Sequence, residues 1–125
     1  MPFDLDRTSH VFTPAESGGV QEVVADDPAD TEQVRLIREH VRQEARRFAR
    51  GDFDDPAALH GDDMPGLPTL RAEYRKMTAH YSELPDGAKI TYVSMARGVI
   101  KALHDWFEAQ LSDHGEHAER GEAEH

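Results

Sequence analysis

MTAHYSELPDGAKITYV, residues Met77 to Val93, is the stretch that decides the fold. Two runs that suit extended backbone, Met77 to Glu83 and Ala88 to Val93, flank Leu84, Pro85, Asp86 and Gly87. Asp-Gly favours the positive φ angles of a tight hairpin. The pattern has a counterpart near the start of the chain. There His10 to Pro14 reads as a strand, Glu16, Ser17, Gly18 and Gly19 supply turn chemistry, and Val20 to Ala25 resume with β-branched residues.

Each hairpin is followed by a helix. Asp30 or Thr31 can accept from the open amides of a helix running to about Arg50, with Val34, Ile37, Val41, Ala45 and Phe48 on one stripe at 3.6-residue spacing. The second long helix is expected from Ala96 to about Ser112. Val99, Ile100, Leu103, Phe107 and Leu111 form its apolar side, with Trp106 on the edge of that face. Between the halves, residues 51–68 are rich in Asp, Gly and Pro and read as a long ordered loop, followed by a short helix from Leu67 to about Tyr74 with Pro68 in its first turn. The expected class is α+β, ordered ββα-loop-ββα. It implies a four-stranded antiparallel sheet with two long helices packed on one face. Residues 1–7 form a polar lead, 8–115 a single domain, and 116–125 a polar tail expected to be disordered.

Composition narrows the function classes. A chain of 125 residues, 38% hydrophobic and 31% charged, fits one domain with a modest core. No apolar run approaches the ~20 residues that span a bilayer, and the N-terminus lacks a signal-peptide layout, so no membrane partner and a cytoplasmic location are expected. With no cysteine, thiolate metal sites and cysteine nucleophiles are excluded. A net charge of −11 opposes nucleic-acid binding. Arg35, Arg38, Arg42, Arg46, Arg47 and Arg50 share one helix but alternate with Glu32, Glu39 and Glu44, as on an ion-paired surface, so no nucleic-acid partner is expected.

Histidine and carboxylate must therefore do any metal work. His40 and His104 sit on the shoulders of their helices' stripes, each followed four residues later by a glutamate, Glu44 and Glu108. That spacing stacks two donors on one helical face, for an ion or for a carboxylate-oriented imidazole. The loop adds His60, Asp62, Asp63 and Met64. The sets are a constellation and match no strong metal motif; their plain alternatives are ion pairs at the core's rim, and a loop whose Met64 plugs the core. His10 and His80 fall on strands, where a surface or merely hydrogen-bonded ring is the simpler reading, and His114 reads first as a C-terminal cap. No nucleophile elbow or phosphate loop is present.

The segments His10-Val-Phe12, Gly18-Gly-Val-Gln21, Ile37-Arg-Glu-His40, Gly51-Asp-Phe-Asp-Asp-Pro56, Leu59-His-Gly-Asp-Asp-Met-Pro-Gly-Leu67, Pro85-Asp-Gly-Ala-Lys-Ile-Thr-Tyr92 and Leu103-His-Asp-Trp-Phe-Glu-Ala-Gln-Leu-Ser-Asp-His-Gly115 cover nearly the whole ordered chain. Together they resemble a small uncharacterised prokaryotic protein family sometimes mislabelled aspartate carbamoyltransferase. The resemblance implies a common fold and histidines at His40, His60, His104 and His114, without an activity. Carbamoyltransferase chemistry is not expected, because the two α/β domains and the Ser-Thr-Arg-Thr phosphate-binding segment of that enzyme are missing.

Three functional expectations follow. The first is a metal-binding or metal-sensing module holding copper or zinc through His40, His60 and His104 with Met64, Glu44 or Glu108; imidazole suits both ions and a thioether favours cuprous copper. The second is a non-enzymatic interaction or homo-oligomerisation domain using its sheet or its Trp106 face, with structural histidines. The third is an enzyme with His104 as general base, which requires a concave pocket around that ring.

Overall fold

The computed structural model describes residues 7–53, 64–114 and 118–121. Strand β1 (Thr8–Ala15) turns through Glu16 and Ser17 into β2 (Gly18–Ala25), and helix α1 (Thr31–Ala49) follows. Then come a short helix α2 (Leu67–Ala72), a 3-10 turn (Tyr74–Lys76), β3 (Met77–Leu84), β4 (Gly87–Ser94), helix α3 (Arg97–His114) and a three-residue strand β5 (Ala118–Arg120). The sheet order is β3-β4-β2-β1-β5. Both hairpins form, and β2 pairs with β4 antiparallel from Gly18↔Val93 to Val24↔Gly87 to join them. The four-stranded antiparallel sheet of an α+β fold is thus present as expected, extended by β5, which pairs with β1 in parallel.

Alternation along the strands decides which residues meet the helices. His10 and Phe12 of β1, Val23 and Ala25 of β2, Met77 of β3, and Ala88, Ile90 and Tyr92 of β4 are buried on that side. Helix α1 lies over β3, β4 and β2, and α3 over β2, β1 and β4. All five stripe residues of α1 are buried, and the Asp30 carboxylate accepts from the amide of Gln33 at the helix start. Arg38 is not a purely solvated residue: its guanidinium donates to the carbonyls of Leu84 (2.6 Å) and Gly87 (3.1 Å), tying α1 to the second hairpin.

Four details depart from the sequence reading. The buried face of α3 is rotated, so Trp106 is 1% exposed instead of marginal, while Ile100 and Leu111 are only half-buried. The cause is a second packing partner: the indole meets Phe48, Phe53 and Tyr92 edge-on, with ring centroids 5.5, 6.0 and 6.0 Å away. The turn of the second hairpin uses Pro85 and Asp86 without any positive φ. Proline's fixed φ suits the first central position of an ordinary turn, and Gly87 is required instead for close approach, since a Cβ there would lie 2.0 Å from the carbonyl oxygen of Val23. The short helix ends at Ala72 and gives way to the 3-10 turn. Finally, residues 118–120, expected within a disordered tail, form β5, and the amide of Gly121 donates to the carbonyl of Phe12 at 3.0 Å. Backbone groups on the edge of β1 pair with backbone whatever its side chains, so a hydrophobic pattern does not reveal such a strand.

Candidate functional site

Among the described residues, the positions picked from the sequence form no group of three donors placed to hold a metal ion. His104 projects from α3 to the turn of the first hairpin, its Nε2 3.0 Å from the carbonyl oxygen of Ala15 and 2.8 Å from that of Gly18. Carbonyl oxygens only accept, so Nε2 carries the proton and, in the neutral ring, Nδ1 keeps its lone pair. Among the described residues Nδ1 makes no hydrogen bond, and it is not one of the buried polar atoms left unmatched. Beside it lies a cleft of about 210 Å³ lined by Phe12, Pro14, His104, Asp105, Phe107 and Glu108. Asp105 is held by Lys101 at 2.8 Å. His104 and Glu108 thus share one cleft, as the four-residue spacing predicted, but the ring's bonded nitrogen serves the turn.

The other helical pair lies elsewhere. His40 is half-buried on α1, and Glu44 is 8% exposed, with Arg47 at 3.6 Å. Its charge reaches the sheet: burial first, and the Glu44 carboxylate second, push the Tyr92 hydroxyl well above its ordinary value. Tyr92 stays protonated and donates to Oε1 of Gln21 at 2.9 Å. Met64 is 4% exposed and part of the hydrophobic core, where its thioether fills space. His60 lies outside the described residues, as do Asp62 and Asp63. Among the described residues no group of three or more histidine, aspartate or glutamate side chains is placed to hold a metal ion.

His10 is 2% exposed on the helix side of β1, its ring stacked near Phe12 with centroids 6.4 Å apart. The matching parity of His10 and buried Phe12 was the available signal. Trp106 Nε1 and Gln110 Nε2, one turn apart on α3, are buried without a hydrogen-bond partner among the described residues. Trp106 belongs to the core, so the interaction face expected around it is not a surface.

An exposed strand edge and an exposed apolar patch lie at the β3 end of the sheet. Among the described residues, β1 is covered on its outer edge by β5, whereas β3 pairs only with β4. Its eight residues run without a bulge from Met77↔Ser94 to Leu84↔Gly87. They contain neither proline nor lysine, and Glu83 is their one charge, so two of the usual defences of an edge strand are absent from its sequence. Thr78, His80 and Glu83 are exposed along it. At its start an open, largely apolar cleft of about 590 Å³ is lined by Arg75, Lys76, Met77, Thr78, Val93 and Met95. Val93 is 41% and Met95 99% exposed there. Among the described residues no helix is long and apolar enough to cross a membrane.

No protein-family model matches the chain, and the comparisons with curated proteins and with solved structures return no match.

Proposed function

We propose that this chain is a non-enzymatic interaction domain that accepts an extended segment of a partner on the outer edge of β3. The observation that carries this reading is the asymmetry of the sheet: among the described residues one edge is closed by β5, while the other offers eight residues of regular backbone with no strand partner. Added strands gain affinity from main-chain hydrogen bonds and specificity from alternate side chains. Val93 and Met95 supply the apolar anchor beside the edge. The test is selection of octapeptides from a random library, followed by N-methylation of the selected peptides and NMR mapping. Binding should shift β3 signals and be lost when alternate backbone amides of the peptide are methylated. Peptides that map elsewhere, or that tolerate methylation at every position, contradict the reading.

A second reading, histidine-based binding of copper or zinc, is favoured by the His104 ring alone. A metal-ligating histidine commonly donates its other nitrogen to a carbonyl, which is the arrangement seen here, and Glu108 supplies an oxygen donor in the same cleft. With Met64 in the core, this donor set suits zinc or cupric copper over cuprous copper. The test is metal titration of the full-length H117A/H125A chain, which keeps β5 while removing tail histidines. Uptake lost in both H104A and E108Q supports the reading; uptake indifferent to them removes it.

A further inference from the structure

We infer that the segment accepted by β3 is β3 of a second copy of the chain, paired antiparallel about a two-fold axis near His80 and Tyr81; the inference rests on the strand-accepting reading above.

A molecule of net charge −11 repels its copy, so two copies approach best where the local charge is balanced and self-complementary. The β3 segment meets both conditions. Arg75 and Lys76 stand immediately before the strand, and Glu83 and Asp86 stand at its far end. Antiparallel pairing brings the basic start of each strand to the acidic end of the other, twice per dimer. Parallel pairing would set like charges together. Lys76 is already 2.8 Å from Glu73, but that pair is well exposed and contributes little that a second carboxylate could not share.

A two-fold axis perpendicular to the sheet keeps each face continuous across the new edge, so residues of like parity meet. Thr78, Ser82 and Leu84 share the face opposite α1 and α3, and Thr78 is paired with Val93 on β4. Antiparallel pairing centred on His80 or Tyr81 places Ser82 or Leu84 of the second copy opposite Thr78. With the axis at Tyr81, the half-buried Leu84 of the second copy stands opposite Thr78, one strand from the exposed Val93. On the other face the small Ala79 and the large Tyr81 stand two residues apart, and centring on His80 sets them opposite each other. Such isologous contact closes as a dimer, with an eight-stranded antiparallel sheet continuous across the axis and β5 at each outer end.

The test uses three forms of the full chain in sedimentation velocity from about 1 to 500 μM, each checked for native circular dichroism: wild type, R75E/K76E, and E83K/D86K. The wild type should shift from monomer to dimer with concentration. Each variant alone has one sign of charge at both ends of its strand and should dimerise at least tenfold more weakly. Their equimolar mixture should form a heterodimer at or above wild-type affinity, an outcome that misfolded variants cannot give. A wild type monomeric throughout overturns self-pairing, as does a dimer unchanged in both variants or a mixture that fails to recover association. Octapeptides still seating on β3 of a monomeric chain would leave the strand-accepting reading intact while removing the second copy as its partner. Failure of both experiments would remove both.

Discussion

The Nε2 of His104 lies 2.8 Å from the carbonyl oxygen of Gly18, so a helix near the end of the chain closes the turn of the first hairpin. With the 3.0 Å contact to Ala15, one ring nitrogen serves two carbonyls. H104A leaves both to find water and should lower stability by about 1–2 kcal/mol, read as a shift in the urea midpoint at constant slope. An unchanged midpoint would show that the latch contributes nothing to folding.

Trp106 tests the core. Its indole, 1% exposed, meets Phe48, Phe53 and Tyr92 edge-on, so W106A should cost about 3–5 kcal/mol and W106F much less. The same indole should fluoresce as a fully buried ring in native protein. Emission typical of exposed tryptophan, or a W106A chain of near-normal stability, would place the residue on the surface.

Gly66 fixes how α2 enters against α3. Its φ is +82°, and a Cβ there would lie 2.1 Å from the carbonyl oxygen of Ala102. G66A therefore combines backbone strain with a clash that no rotamer relieves, and the expected loss exceeds about 2 kcal/mol. G98A is the matched control, because nothing lies within 4 Å of a Cβ at that position. Equal stability changes in the two variants would contradict the close approach of α2 to α3.

Tyr92 sets an alkaline limit. Burial, and after it the Glu44 charge, hold its hydroxyl well above the usual value. The unfolded chain releases that proton near pH 10 while the folded chain retains it. The stabilisation is complete below about pH 10 and is lost above it, at up to about 1.4 kcal/mol per pH unit. In urea unfolding from pH 9 to 11.5, Y92F should be less stable at pH 9, having lost the bond to Gln21, yet decline less steeply above pH 10. Parallel curves for the two proteins would contradict a buried, protonated Tyr92.

Local patterning made much of this fold legible. The stripe from Val34 to Phe48 predicted the buried face of α1, and the Pro-Asp-Gly turn predicted the second hairpin. Lateral placement was not legible. Helical periodicity tells which side of α1 bears His40 and which side of α3 bears His104, but the β2/β4 pairing decides which strands each helix covers. That pairing is made by backbone groups distant in sequence. The same reason hid β5, and with it the contrast between a closed edge at β1 and an open one at β3. Spacing did place Glu108 in the cleft of His104; it could not foresee that the ring's Nε2 would be taken up by Ala15 and Gly18.

Residue-resolved amide exchange in the dilute, monomeric chain reads directly whether the outer edge of β3 is open. Amides of Met77–Leu84 that point away from β4 should exchange at rates near those of unstructured backbone, while the inward amides of β3 and the β1 amides bonded to β5 are protected. Uniform protection along both sides of β3 in the monomer would mean that its outer edge is already occupied and that no partner strand can add there.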